Sequence, residues 1–259
     1  EFNFLKPIYH RNLIRLGHEN DGGYVLPEKQ VKESDGLVSF GYGYDCSFEN
    51  DYIKNTGNSI LIYDHTCDYL ELIKKLLKYL KRFLLFRKKF HDVKFHYNNL
   101  IVHHNFVSSK KVNFFKKRIV AKEEMKNDTS ISSVIKNVKF QKAILKCDIE
   151  GTEYDILDEI IKYNEIFNCI LVEFHKINDN VKNFKDNVNK LLEHYYIVHL
   201  HGNNHDPLIE NINIPSTLEI TFVKKMFIDK KVFIHKFPIE NLDKPNNPNL
   251  KDHSFEFKE

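Results

Sequence analysis

The amino-acid sequence predicts an α/β fold built on a mainly parallel sheet, and two observations carry this. Short β-branched or apolar runs alternate with stretches of helical period, as in successive βαβ units. The last runs are joined by short connections, which predicts an antiparallel pair at that edge. Predicted strands cover residues 37–41, 59–64, 100–105, 143–148, 169–174, 196–201, 218–223 and 232–235. Helical patterns fit residues 48–55, 70–90, 130–136, 153–162 and 180–193. Residues 1–36 stand outside the alternation and are expected to pack on the core as an N-terminal extension. Residues 37–240 form the expected domain, and 241–259, rich in Asn, Pro and Lys, read as an irregular tail.

Composition narrows the class. The 259 residues carry 39 Lys+Arg against 36 Asp+Glu, a net charge of +3, and 42% are hydrophobic. That excludes a wholly disordered chain and allows one or two domains with their own core. No apolar run approaches the ~18 residues of a membrane span. No secretory leader is visible, so a cytoplasmic protein is expected, with the inner membrane surface as a further location. Cys46, Cys67, Cys147 and Cys169 are dispersed without a CxxC, which points to reduced thiols. Five of the basic residues are Arg and 34 are Lys. Arg is the preferred reader of base edges and phosphates, so this balance weighs against nucleic acid.

Ligands of such sheets bind beyond the carboxyl ends of the strands. The first strand ends in Phe40-Gly41-Tyr42-Gly43-Tyr44-Asp45-Cys46-Ser47-Phe48-Glu49, where two glycines allow a sharp turn and close ligand approach. A dinucleotide fingerprint would place a third glycine where Cys46 stands. The next strand ends in Asp64, an acid about twenty residues on that can accept both hydroxyls of a ribose. Together they read as a nucleoside site; the plainer alternative is a tight turn with Asp64 capping toward Thr66. The run Ile144-Leu145-Lys146-Cys147-Asp148-Ile149-Glu150-Gly151-Thr152-Glu153 sets Asp148 and Glu150 beyond a strand end and Glu153 in the first helical turn. Leu171-Val172-Glu173-Phe174-His175 adds Glu173 and His175, which alternation puts on one face. Val198-His199-Leu200-His201-Gly202-Asn203-Asn204 brings further polar groups, and Glu219 lies inside the next strand. Acids and histidines gathered at one sheet edge are costly unless solvated, paired or used.

With these residues in view, the run Leu145 to Glu153 resembles the Lys-x-Asp-x-Glu-Gly-x-Glu signature of the FkbM-type S-adenosylmethionine-dependent methyltransferases. Gly41-Tyr42-Gly43, Asp64 and Leu171-Val172-Glu173 support it, and Asp21-Gly22-Gly23-Tyr24-Val25 and Ser47-Phe48-Glu49 resemble a subgroup. One departure is Ser39-Phe40-Gly41-Tyr42-Gly43, which lacks the acid of the common acid-x-Gly-x-Gly form. The resemblance implies a Rossmann-like, seven-stranded class I methyltransferase sheet, mainly parallel with an antiparallel edge strand and helices on both faces. It also implies methylation of a sugar hydroxyl, on a capsular or other surface-polysaccharide sugar such as a heptose, including a nucleotide-linked one.

Carried over residue by residue, Gly41, Tyr42, Gly43 and Phe48 would form the cofactor loop, with Asp64 and His65 at the ribose. Ser108, closing the segment after the predicted third strand, would border the adenine, and Asp148 would lie near the methionyl end. His175, Glu150, Asp148 and Glu173 are the catalytic candidates. His175 or Glu150 is the expected general base, since imidazole has an ordinary pKa of ~6.5. Asp21, Tyr24, His201 and Asn203 are candidate substrate contacts. Asp148, Glu150, Glu173 and His175 could also ligate Mg²⁺ or Mn²⁺, but no tight ligand motif supports this and no metal is assigned.

Residues 72–90 contain eight basic and no acidic residues beside an apolar stripe of Leu72, Ile73, Leu76, Leu77, Leu80, Phe83 and Leu84. A helix packed on the sheet with its lysines in water accounts for the pattern. Phe83-Leu84-Leu85-Phe86 is broader than one stripe needs, so contact with anionic lipid, a phosphorylated acceptor or a second copy stays open. Two rival functions remain. A nicotinamide-dependent sugar oxidoreductase or epimerase would share the glycines and Asp64 but leaves Asp148-Ile149-Glu150-Gly151 unexplained. A non-catalytic, Lys-rich module for nucleic acid or membrane surfaces does not account for the acids at the strand ends.

Overall fold

The computed structural model describes residues 2–210, 212–228 and 230–257. Glu1, Lys258 and Glu259, the outer ends of the expected extension and tail, lie outside the described residues. The N-terminal segment forms an antiparallel hairpin, β1 (Leu13–Leu16) and β2 (Tyr24–Pro27), then the short helix α1 (Glu28–Glu33). The alternation follows with β3 (Gly36–Phe40), α2 (Ser47–Thr56), β4 (Ser59–Tyr63), α3 (Tyr69–Leu84) and α4 (Phe90–Val107). Next come β5 (Val112–Phe115), the short pair β6 (Arg118–Ile119) and β7 (Asp128–Thr129), and α5 (Ile131–Asn137). The second half runs β8 (Ala143–Cys147), α6 (Glu153–Lys162), β9 (Phe167–Phe174), α7 (Val181–Leu192), β10 (Tyr195–Gly202) and β11 (Leu218–Lys224). Two short strands, β12 (Lys236–Phe237) and β13 (Phe255–Glu256), pair with each other.

Seven strands make the central sheet in the order β5-β4-β3-β8-β9-β11-β10. β3 pairs in parallel with both β4 and β8, as do β4 with β5 and β8 with β9, while β11 is antiparallel to β9 and β10. The fold is thus a Rossmann-like, mainly parallel α/β sheet. Alternation along the strands divides the core into two layers. Val38, Leu145 and Ile170 meet Val134 of α5, Ile156 of α6 and Val188 of α7. On the opposite face Leu37, Ile60 and Ile144 meet Val31 of α1 and Phe48 and Tyr52 of α2. A sheet covered on both faces needs near-continuous apolar strands, which is why a lysine inside β8 stands out.

The structure departs from the sequence expectations at five places. Residues 100–105 are not a strand; they lie within α4, where Val93, Leu100, His103 and Phe106 are buried at helical spacing. The third parallel strand is β5, and a short apolar run cannot by itself decide between strand and helix. The helix expected over 70–90 ends at Leu84, and Phe86 takes a left-handed φ of 57° before α4 begins. Residues 232–235 do not join the sheet; Phe233 forms an isolated bridge with Ile8. The expected antiparallel pair, β10 with β11, is at the edge, but the reversed strand is β11, which returns between β9 and β10 and leaves β10 outermost. Residues 241–257 do not hang free. Asp243 and Asn246 are buried; Asp243 Oδ1 meets His199 Nε2 at 2.8 Å, and Asn246 Nδ2 donates to Glu219 Oε1 at 2.8 Å.

The N-terminal hairpin is tied to the sheet, with Thr221 Oγ1 donating to the Val25 carbonyl at 2.6 Å. The four cysteines are free and buried, and no helix of the described residues is long and apolar enough to cross a membrane.

The order of strands puts the switch point between β3 and β8, where chain direction across the sheet reverses and a crevice opens. Gly41 sits there with φ of 79°, and a Cβ on it would stand 1.6 Å from the Asp148 carbonyl oxygen. Gly57 also has a positive φ, 68°, but faces open space. Thermal melts should therefore drop by about 6 °C or more for Gly41→Ala and by about 2–4 °C for Gly57→Ala. Equal shifts would show that the close approach of the two strand ends is not rigid.

Candidate functional site

A cavity of about 570 Å³ opens at the switch point, a size suited to a small ligand. One wall is the turn Gly41-Tyr42-Gly43, whose glycines have φ of 79° and 58°. Asp64, just past β4, holds this turn. Its Oδ2 accepts from the backbone N–H of Tyr42 at 2.8 Å and of Gly43 at 2.9 Å, and its Oδ1 accepts from the Thr66 backbone and hydroxyl, both at 2.6 Å. Burial would raise the Asp64 pKa, but these hydrogen bonds bring it below the ordinary carboxylate value. A Cβ on Gly43 would meet nothing within 4 Å, so this backbone lies open. Lys117, Arg118 and Ile119 also line the cavity, and Tyr63 lines it while stacking on Phe115 with ring centroids 4.7 Å apart.

Lys146, in the middle of apolar β8, closes the base. Its Nζ donates to the Gly41 carbonyl at 2.8 Å and lies 3.8 Å from Glu49 Oε1, 4.0 Å from Asp148 Oδ2 and 5.2 Å from the Tyr24 ring centre. Burial would lower its pKa; the Glu49 and Asp148 carboxylates raise it above the ordinary value and keep it a cation. Glu49 Oε1 accepts from Ser39 Oγ at 2.7 Å, while Glu49 Oε2 has no hydrogen-bond partner among the described residues. Burial pushes the Glu49 carboxyl up, against the pull of Lys146 and Ser39.

Asp148 joins the cavity to a second, buried layer. Tyr24 Oη lies 2.9 Å from Asp148 Oδ2 and 3.1 Å from Glu173 Oε2, so one phenolic hydrogen serves two acids. Asn203 Nδ2 donates to Glu173 Oε1 at 3.1 Å. Burial, then Asp148 and Glu219, push the Glu173 carboxyl well above the carboxylate range, even with His175 nearby. The His175 backbone N–H donates to Glu153 Oε1 at 2.6 Å, and its Nδ1 lies 3.3 Å from the same oxygen. Its Nε2 is 3.8 Å from carboxylate oxygens of Asp148, Glu150 and Glu173. Burial would lower the His175 pKa, but Glu153, Glu173 and Asp148 together raise it to about 9. At neutral pH this ring is an imidazolium. The acids around His175 thus favour its protonated form, a direction opposite to the ordinary pKa expected of a resting base.

Asp148, Glu173 and His175 bring potential ligand atoms within 4.8 Å of one another. Tyr24, Asn203 and Glu153 already engage these three groups.

The expected residues divide between the two layers. Gly41, Tyr42, Gly43, Phe48, Asp64 and His65 line the cavity, with Asp21, Asp148 and the exposed Glu150. His175, Glu173, Tyr24 and Asn203 lie behind Asp148 and are not on the cavity wall. Tyr24 and Asn203 thus hold Asp148 and Glu173 and do not line the cavity. Ser108 is an exposed C-cap of α4 and does not line the cavity; because the third strand is β5, residues 117–119 stand where 105–108 were expected. His201 is buried, with Nε2 3.2 Å from Asp252 Oδ1 and Nδ1 3.6 Å from Glu219 Oε2. It braces the C-terminal segment and does not reach the cavity. Lys146, Glu49 and Glu153 were not singled out as site residues by sequence reasoning. A lysine inside an apolar strand was the available signal for the first, since such a charge must find partners.

No family model matches the chain, and no curated protein matches it in sequence. Solved structures similar to it include a precorrin-6y C5,15-methyltransferase from Geobacter metallireducens, at 8% identity and TM-score 0.39, covering 76% of this chain and 86% of that one. The fibrillarin pre-rRNA processing protein of Methanococcus jannaschii gives 8% identity and TM-score 0.42, covering 76% and 69%. An rRNA methylase from Streptococcus thermophilus gives 9% and 0.37, covering 76% and 93%. Likeness at this level bears on neither reaction nor substrate.

Burial would lower the His201 pKa, but Asp252 and Glu219 raise it to about 10. Its unfolded value is ~6.5, so the stabilisation is complete below that pH and is lost as pH rises through about 10. Thermal melts between pH ~6 and ~10 should show a falling midpoint, and His201→Gln should reduce that fall by about 2–4 °C or more. An unchanged pH slope in the variant would remove His201 as the source.

Proposed function

We propose that this chain is an S-adenosylmethionine-dependent methyltransferase acting on a sugar hydroxyl, of the capsular or surface-polysaccharide kind such as a heptose, free or nucleotide-linked. The observation that carries this is the meeting of three strand ends on one cavity: the open Gly41-Tyr42-Gly43 backbone, the ionised Asp64 and, across from them, Asp148. The strand order, with β11 reversed beside β10, suits the same reading.

The residues fit the cofactor. Asp64 is buried and each of its carboxylate oxygens already accepts two hydrogen bonds, so its part is to hold the turn, while Gly43 leaves the backbone open to close approach by the cofactor. The unpartnered Glu49 Oε2 is an acceptor suited to an ammonium group. S-adenosylmethionine supplies a methyl group already activated on a sulfonium, so the protein has to align the acceptor oxygen and manage its proton. Asp148 is placed to take that proton at a carboxylate oxygen, because it alone of the four catalytic candidates both lines the cavity and belongs to the buried hydrogen-bonded layer. Lys146 and the His175 imidazolium hold the Asp148 carboxylate in place.

Charge supports a hydroxyl-bearing acceptor. Asp21, Asp45, Glu49, Asp64, Asp148 and Glu150 outnumber Lys117, Arg118 and Lys146 around the cavity. Such a lining suits a cationic sulfonium and hydroxyl donors and repels a polyanion. A nicotinamide-dependent oxidoreductase is the second reading, favoured by the same glycine turn and Asp64. It leaves the run Asp148-Ile149-Glu150-Gly151 unexplained, which counts against it.

Calorimetry separates the two. S-adenosylhomocysteine should bind with a Kd on the order of micromolar and NAD should not; Asp64→Asn should weaken the former about tenfold or more. Binding of NAD in its place, or of neither, would contradict the reading.

A further inference from the structure

The break after α3 turns the basic segment into something the sequence did not show: a helical hairpin whose tip is apolar. α3 and α4 meet through Tyr79 on His96, ring centroids 3.9 Å apart, and Phe83 on Phe90, 5.9 Å apart. Only Leu72 of α3 is buried, although the helix is strongly amphipathic. Leu70, Leu77, Leu80 and Leu84 recur at helical spacing and stay exposed. At the tip Phe86 is 97% exposed, Leu84 67% and Phe90 65%. No polar reason requires this, and water contact with such a cluster is costly.

Charge identifies the occupant. Lys81, Arg82, Arg87, Lys88 and Lys89 flank the tip in sequence and are exposed, and residues 72–90 contain no acid. An apolar wedge in a collar of cations complements a bilayer surface: aromatic and aliphatic side chains enter the headgroup boundary while lysines and arginines stay with anionic lipid heads. A protein partner or a second copy would ask for a flat or grooved apolar counterpart, with acids to meet the collar.

We propose that the α3–α4 hairpin docks this protein on an anionic membrane surface, with Leu84, Leu85 and Phe86 inserted and the surrounding basic residues on the headgroups. The inference is independent of the reaction catalysed.

The chain has no tryptophan, so Phe86→Trp gives a single fluorescent reporter at the tip. With vesicles containing about 30 mol % phosphatidylglycerol at ~0.1 M salt, its emission should shift to the blue and be quenched by brominated acyl chains. Partitioning should be about tenfold or more above that on pure phosphatidylcholine and fall severalfold at ~0.5 M salt. The Leu84→Asp/Phe86→Asp double variant, checked by circular dichroism for its fold, should lose vesicle binding in co-sedimentation. Should that variant fail to fold, the Phe86→Trp readings decide alone. An emission unchanged by anionic vesicles, or equal binding to neutral ones, overturns the proposal. So does a concentration-dependent dimer, abolished by the double variant, without vesicle binding.

Discussion

The carboxyl edge of the sheet depends on matching buried charge. Glu49, Glu153 and Glu173 are buried and Asp148 is half-buried, all within a few residues of the switch point. An isolated ionised carboxyl in such a place costs several kcal/mol, so the surrounding structure has to supply cations, donors or protons. Lys146 reaches Glu49 and Asp148 from inside β8; His175 takes Glu153 on one side of its ring and faces three more carboxyl groups on the other. Tyr24 and Asn203 add donors to Asp148 and Glu173, while Glu49 Oε2 keeps no hydrogen-bond partner among the described residues. The N-terminal hairpin is therefore part of the site, because Tyr24 comes from β2 and spans Asp148 and Glu173.

This constraint also explains how the molecule distributes its net charge of +3. The cavity wall is acidic and the α3–α4 hairpin is basic, at opposite ends of the chemistry the surface can offer. A near-neutral total conceals two fields of opposite sign.

Much of the fold was legible in the sequence because both faces of the sheet are covered. Strands such as Ile144-Leu145 and Cys169-Ile170-Leu171-Val172 must be apolar throughout, and their ends are where the polar residues begin. The run at residues 100–105 misled because a half-buried helix and a buried strand share composition over six residues, and the residues that complete its buried stripe, Val93 and Phe106, lie on either side of it in α4. The place of β11 was not legible, since strand order depends on which gap a returning hairpin fills. At the site, residue types were legible but their states were not. The sequence pattern put His175 at a strand end; it could not show Glu153 folding back beneath the ring, which converts a candidate base into a cation. His201 was misleading for the same reason: Asp252 and Glu219 reach it from distant parts of the chain.

The balance of charge behind Asp148 turns on a protonated His175. Site-resolved NMR of the histidine rings across a pH titration reads this directly, with a His175→Gln variant to assign the signal. The account predicts that His175 titrates at about 9 and is an imidazolium at neutral pH. A His175 ring that titrates near its ordinary ~6.5 would contradict it, because the buried carboxyl groups would then lack their countercharge.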